Sequence, residues 1–205
     1  MARKRDRNRP PARRQAHRDA KPLILAVCEG KNTEPEYLKG FRDKCKNPMV
    51  RIEIERGAGV PLSILAVAKA MRDENAQKGD PNSRYDQVWC VFDVDDHPNL
   101  NQALQEAHDA GLKLAVSNES FELWLVLHFQ DNPGMMDRKN LRRNVKKHVP
   151  NYDKHVNIED FLPGYTAAVQ RAKRMWEDAC NANEFWKRNP VTTVYQLTEA
   201  IRGEQ

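Results

Sequence analysis

The chain has 205 residues, with 34 Lys and Arg against 29 Asp and Glu and a formal net charge of +5. That length suits one domain, or one domain with a small appendage. The hydrophobic fraction of 40% is enough for a core, and no apolar stretch approaches the roughly 18 residues of a membrane span. The composition also excludes collagen and a disulfide-stapled scaffold.

The positive charge is concentrated at one end. Residues 1–21 hold nine basic and two acidic residues; the rest holds 25 basic and 27 acidic, net −2. Residues 1–20, with Pro10 and Pro11 and almost nothing apolar, are expected to be a disordered basic tail, because such a segment cannot bury enough surface to offset its chain entropy. It is either a polyanion-binding arm or a solubilising terminus. No apolar region follows its charges, so it does not read as an export signal. The four cysteines, Cys28, Cys45, Cys90 and Cys180, form no CxxC pair. A cytoplasmic chain with reduced thiols is expected, with Cys28 and Cys90 as small buried hydrophobes rather than zinc ligands.

From residue 22 on, strand and helix signals alternate. Leu23–Cys28 is a continuous apolar run, as in a strand buried on both faces. Thr33 can cap a helix running to about Cys45, with Pro35 in its first turn. Residues 50–55 (VRIEIE) alternate like a half-exposed strand. A second helix is predicted from Pro61 to near Gly79, a third strand over Gln87–Phe92, a third helix over Leu100–Ala110, and a fourth strand over Leu112–Val116. A strongly apolar helix is expected from Glu119 to about Gln130. This alternation implies βαβ units and a four-stranded, mainly parallel sheet over an α/β core at residues 21–132. Residues 133–205, with helical segments near 163–183 and 191–202 and no strand signal, read as a helical C-terminal extension packed on that core.

In open parallel sheets, ligands bind outside the carboxyl ends of the strands. The first strand ends in Glu29-Gly30, the third in Asp93-Val94-Asp95-Asp96-His97, and the fourth in Ser117-Asn118-Glu119 with Glu122 close behind. Alternation puts Asp93 and Asp95 on one side. Crowded carboxylates repel unless a cation neutralises them or one takes up a proton. Hard oxygen ligands at a sheet edge suit Mg²⁺ or Mn²⁺, which stabilise phosphoryl oxygens and activate water. Asp96 and Glu122 are further candidate ligands. Glu122 stands in an almost wholly apolar segment, where a carboxylate needs a partner or a metal; pairing with an arginine is the alternative. Glu34 reads as a helix cap before a ligand. His97 is either a general base or half of a surface ion pair, and Lys31 either touches a phosphate or is simply solvated. His128 reads as a satisfied core histidine, about 120° around a helix from Glu122.

Glu-Gly after a first apolar strand and Asp-x-Asp after a later one resemble the Toprim signature of topoisomerases, primases and OLD-family nucleases. The segments "ILAVCEGKNTEPEYLKGF", "VWCVFDVDDH", "SNESFELWLVLHF" and "NPVTTVYQLTEAI" are similar to the RloB-like (AbiLii-like) proteins over nearly all of the chain except the tail. The resemblance implies a Toprim-like fold, Glu29, Asp93 and Asp95 as metal carboxylates, and a nuclease acting beside an ABC/AAA-type ATPase in a two-part antiphage system.

Seven of the residues in 137–155 are basic and two acidic. Arg138, Lys139, Arg142, Arg143, Lys146 and Lys147 recur at helical spacing, as in a phosphate-backbone contact. The leading reading is therefore a metal-dependent endonuclease on RNA, with tRNA as one candidate, or DNA, with homo-oligomer formation left open. Two others stay open. One is a non-catalytic adaptor of the ATPase. The other is a phosphatase similar to the haloacid dehalogenases, whose DxDx[TV] motif "DVDDH" matches except at His97.

Overall fold

Burying an apolar strand on both faces requires a cover on each side, and every residue of β1 (Ile24–Cys28) is fully buried. In a computed structural model describing residues 22–54, 60–79, 84–94 and 99–203, β1 is an interior strand. It pairs in parallel with β2 (Val50–Ile54) on one side and β3 (Gln87–Asp93) on the other; β3 pairs in parallel with β4 (Lys113–Asn118). A fifth strand, β5 (Val191–Thr192), lies antiparallel on β4, giving the order β2-β1-β3-β4-β5.

The expected four-stranded sheet is thus five-stranded, and the last strand comes from the segment read as wholly helical. Two residues are too few to carry a period-2 pattern. The same strand explains why β4 runs two residues past the predicted end. Ser117 and Asn118 look like a loop, yet both are buried, and Ser117 Oγ hydrogen-bonds Thr192 Oγ1 at 2.8 Å. A buried polar strand end is tolerated once it has a partner.

Helices α1 (Thr33–Lys44), α2 (Pro61–Gln77) and α3 (Leu100–Asp109) are the crossovers. The connection from β1 to β2 and that from β2 to β3 run in opposite directions across the sheet. Crossovers of one hand therefore place α1 on one face and α2 and α3 on the other. The pleat follows this division. Leu25 and Val27 of β1 join Val88, Cys90 and Phe92 of β3 under α2 and α3, while Ile24, Ala26 and Cys28 join Trp89 and Val91 beneath α1. Cys28 and Cys90 are free, buried thiols on opposite faces, in keeping with their apolar surroundings.

The α1 face is completed by α4 (Glu122–Val126), α5 (Arg138–His148), α6 (Tyr165–Asn181) and α7 (Val194–Arg202), whose apolar residues share one cluster with β1. The apolar segment expected as one helix from Glu119 to Gln130 is α-helical only over α4. It continues in tight turns in which His128 N bonds Leu125 O and Phe129 N bonds Val126 O. Thr33 is not a cap: its hydroxyl donates to Lys154 O at 2.9 Å, and the residue before it makes no side-chain cap bond. Among the described residues, no helix is long and apolar enough to cross a membrane.

Candidate active site

The connections of β1 and β3 leave toward opposite edges of the sheet, which opens a crevice at their carboxyl ends. Register brings the strand ends level: Cys28 lies opposite Val91, and Asp93 opposite Ser117. Glu29 follows β1 directly. Its amide bonds Val91 O at 2.9 Å, and its carboxylate Oε2 accepts from the Asp93 amide at 3.3 Å. The two predicted acids are thereby held side by side by backbone.

A third carboxylate comes from α1. Glu34 is 7% exposed and its carboxylate lies against Gly30, where any Cβ would collide with it. Gly30 is required for that seat. The fourth is Glu122, also 7% exposed, which opens α4. Its Oε2 accepts from Ser120 Oγ at 2.7 Å and its Oε1 from Tyr152 OH at 3.1 Å. Tyr152 OH lies 3.4 Å from Thr33 Oγ1, so the segment after α5 braces both α1 and α4.

Two guanidinium groups reach this cluster from α5. Arg138 Nη2 donates to Asp93 Oδ2 at 3.2 Å, and Arg142 Nε lies 3.5 Å from Glu122 Oε1. Four carboxylates thus face two arginines, and protons are held accordingly. Burial, then the charges of Glu34, Glu122 and Glu29, raise Asp93 well above the usual carboxylate range against the pull of Arg138. Burial, reinforced by Glu122 and Glu29, pushes Glu34 up to about 7, despite its backbone hydrogen bond and Lys154.

This has a measurable sign. The folded chain keeps the Glu34 proton up to about pH 7, whereas an unfolded chain releases it near its ordinary value of 4.5. Stability therefore falls as pH rises through that window, by on the order of 3 kcal/mol from this group. Glu34→Gln is expected to gain stability over wild type at pH 8 and to show little gain at pH 5. Urea denaturation at the two pH values checks this; an equal difference at both would exclude the charge as its cause.

The donor chemistry, hard oxygens short of positive charge, suits a divalent cation. As they stand, however, no three His, Cys, Asp or Glu side chains among the described residues gather closely enough to hold one. Asp95, Asp96 and His97 lie outside the described residues. Of the other predicted residues, Glu29, Asp93 and Glu122 come together here. Lys31 is exposed on the turn after β1. Arg143 and Lys146 line a hollow of about 310 Å³ together with Arg138, Lys139 and Arg142; Lys147 is exposed in the last turn of α5. His128 stands apart, as expected. Its Nδ1 donates to Trp124 O at 2.9 Å, which leaves Nε2 to accept from Tyr37 OH at 3.0 Å, and burial lowers its pKa to about 4. A second hollow of about 590 Å³, lined by Trp89, Lys113, Trp176 and Trp186 among others, lies by the amino end of β4, at the opposite end of the sheet from the acids.

Sequence reasoning missed three participants. Glu34 reads as a cap from sequence, although a glycine turn followed by a helix N-terminus is the geometry that returns a side chain to the strand end. Ser120 and Tyr152 carry no signal, because only the tertiary fold brings them to Glu122. Helical spacing groups Arg138 and Arg142 with the outward phosphate contacts, but their pairs run to the acids.

The family model for RloB-like protein matches residues 24–201. The chain belongs to the RloB-like family. The match runs from the first residue of β1 into α7, so every described residue of the candidate site falls within it. No curated protein and no solved structure is significantly similar to the chain.

Proposed function

We propose that this RloB-like chain is a divalent-metal-dependent endonuclease on a Toprim-like fold, hydrolysing phosphodiesters of RNA, with tRNA as one candidate, or of DNA. One observation carries the reading: the buried carboxylates of Glu34 and Glu122 and the partly buried ones of Glu29 and Asp93 face one another's charge at the sheet's switch point, short of positive charge and beside the basic hollow of α5. A bound Mg²⁺ or Mn²⁺ would polarise a phosphoryl oxygen and lower the pKa of a coordinated water. Glu29 and Asp93, with Asp95 and Asp96, which follow Asp93 closely in the sequence, would hold it. Ser120 and Tyr152 keep Glu122 oriented toward the same place. Lys139, Arg143 and Lys146 would fix the position of the nucleic-acid backbone without reading sequence. His97 would accept the proton from the attacking water.

The sequence resemblance extends the proposal to an antiphage role with an ABC/AAA-type ATPase partner, in the cytoplasm. Incubating the purified chain with total cellular RNA and plasmid, with Mg²⁺, Mn²⁺ or a chelator, tests the activity. Metal-dependent cleavage lost on chelation is expected. Equal products from wild type and Asp93→Ala/Asp95→Ala would refute the assignment, and absence of cleavage with retained ATPase binding would favour an adaptor.

A further inference from the structure

Resting on that reading, we propose that Arg138 and Arg142 are exchangeable counter-ions. They hold the site's carboxylates in the metal-free chain and give them up when a divalent cation enters, turning toward substrate phosphate.

Arg138 and Arg142 are one helical turn apart and so share a face of α5. The helix itself is firmly placed. Asp137 caps it by accepting from the Asn140 amide at 2.7 Å, and Leu141, Asn144 and Val145 are buried beneath it. Its arginines are less fixed than their partners. The Arg138 and Arg142 side chains are 42% and 40% exposed, against 14% for Asp93 and 9% for Glu122. The guanidinium groups therefore enter from the solvent side on flexible stems, while Glu122 is held by Ser120 and Tyr152 and Glu29 by the Asp93 amide.

The grip on Glu122 is loose. Arg142 Nε stands 3.5 Å away, and this buried N–H finds no hydrogen-bond partner. A dication among these carboxylates would repel both guanidinium groups, so the two kinds of cation exclude one another. The place to which the arginines would swing already exists: the same two side chains line the hollow with Lys139, Arg143 and Lys146. That hollow carries five basic side chains, which attract a phosphodiester and would repel a freed guanidinium in its absence. Metal entry and substrate binding are therefore mutually supportive.

Mn²⁺ affinity, read by calorimetry on the full chain without substrate, tests the exchange. Arg138→Gln/Arg142→Gln is expected to bind Mn²⁺ about tenfold or more tightly than wild type, or to bind where wild type does not. Lys139→Gln/Arg143→Gln removes the same net charge from the outer face and is expected to change affinity by less than about threefold. The Arg138→Gln/Arg142→Gln chain should also melt at lower temperature without metal and gain more from Mn²⁺ than wild type does. If the double variant proves too unstable, Arg142→Gln alone should tighten binding by at least about threefold.

Mn²⁺ binding that Asp93→Asn abolishes but neither arginine exchange improves would overturn this inference and leave the metal reading standing. Absence of Mn²⁺ binding in every variant would overturn both.

Discussion

Asp93→Asn is expected to lower metal-dependent cleavage by about 10³-fold, the scale on which one preorganised electrostatic contact to a transition state acts, while leaving the fold at least as stable as wild type. The two halves have one cause. Asp93 sits where burial and three other carboxylates disfavour its charge. On the proposed function, the charge that would hold a cation works against folding in the metal-free chain. The amide keeps the shape and removes the repulsion. Arg138 loses one charged partner, but its side chain is 42% exposed and water can take the carboxylate's place. Initial cleavage rates and thermal melts of the same preparations read both effects. Cleavage within about threefold of wild type would sink the catalytic role; a melting temperature lowered by more than a few degrees would show that the Asp93–Arg138 pair is a structural strut instead.

The second large effect lies in the packing that holds α4. Gly164 ends a short turn before α6, with φ −91° and ψ −2°, a conformation open to any residue. Space, not backbone freedom, demands glycine: an added Cβ would strike the carbonyl oxygen of His128 and lie 2.7 Å from its carbonyl carbon. Backbone cannot rotate away as a side chain can, so Gly164→Ala must separate the turn from the end of the α4 segment. A cost of about 3 kcal/mol is expected, or a fall in melting temperature of roughly 6–12 °C for a chain of this size. Gly79→Ala is the contrast. That position has φ +79° and no neighbour within 4 Å, so the cost is conformational, about 1 kcal/mol. Calorimetric melts rank the two, and an equal or milder loss at Gly164 would show that the turn yields freely.

The sequence was most readable where local chemistry and tertiary environment agree. Leu23–Cys28 has one use, a strand covered on both sides, and its burial follows. Leu100–Asp109 buries only Ala103 and Ala107, four residues apart, on one helical stripe. It was least readable where partners lie far along the chain. Ser117 and Asn118 look like loop residues until Thr192, 75 positions away from Ser117, supplies a hydrogen bond. Tyr152 looks like one more residue of a basic segment until it donates to Glu122.

By itself, then, the sequence determined the class of the fold and the end of the sheet where the chemistry would gather. Strand ends are local, and acids written after apolar runs must emerge there. Tertiary structure alone decided the rest of the site's composition and its charge balance. Gly30 lets Glu34 fold back beside Glu29, α5 brings Arg138 and Arg142 over the acids, and Ser120 and Tyr152 fix Glu122. A carboxylate's proton and an arginine's partner depend on distance and burial in space, and spacing along the chain does not encode either.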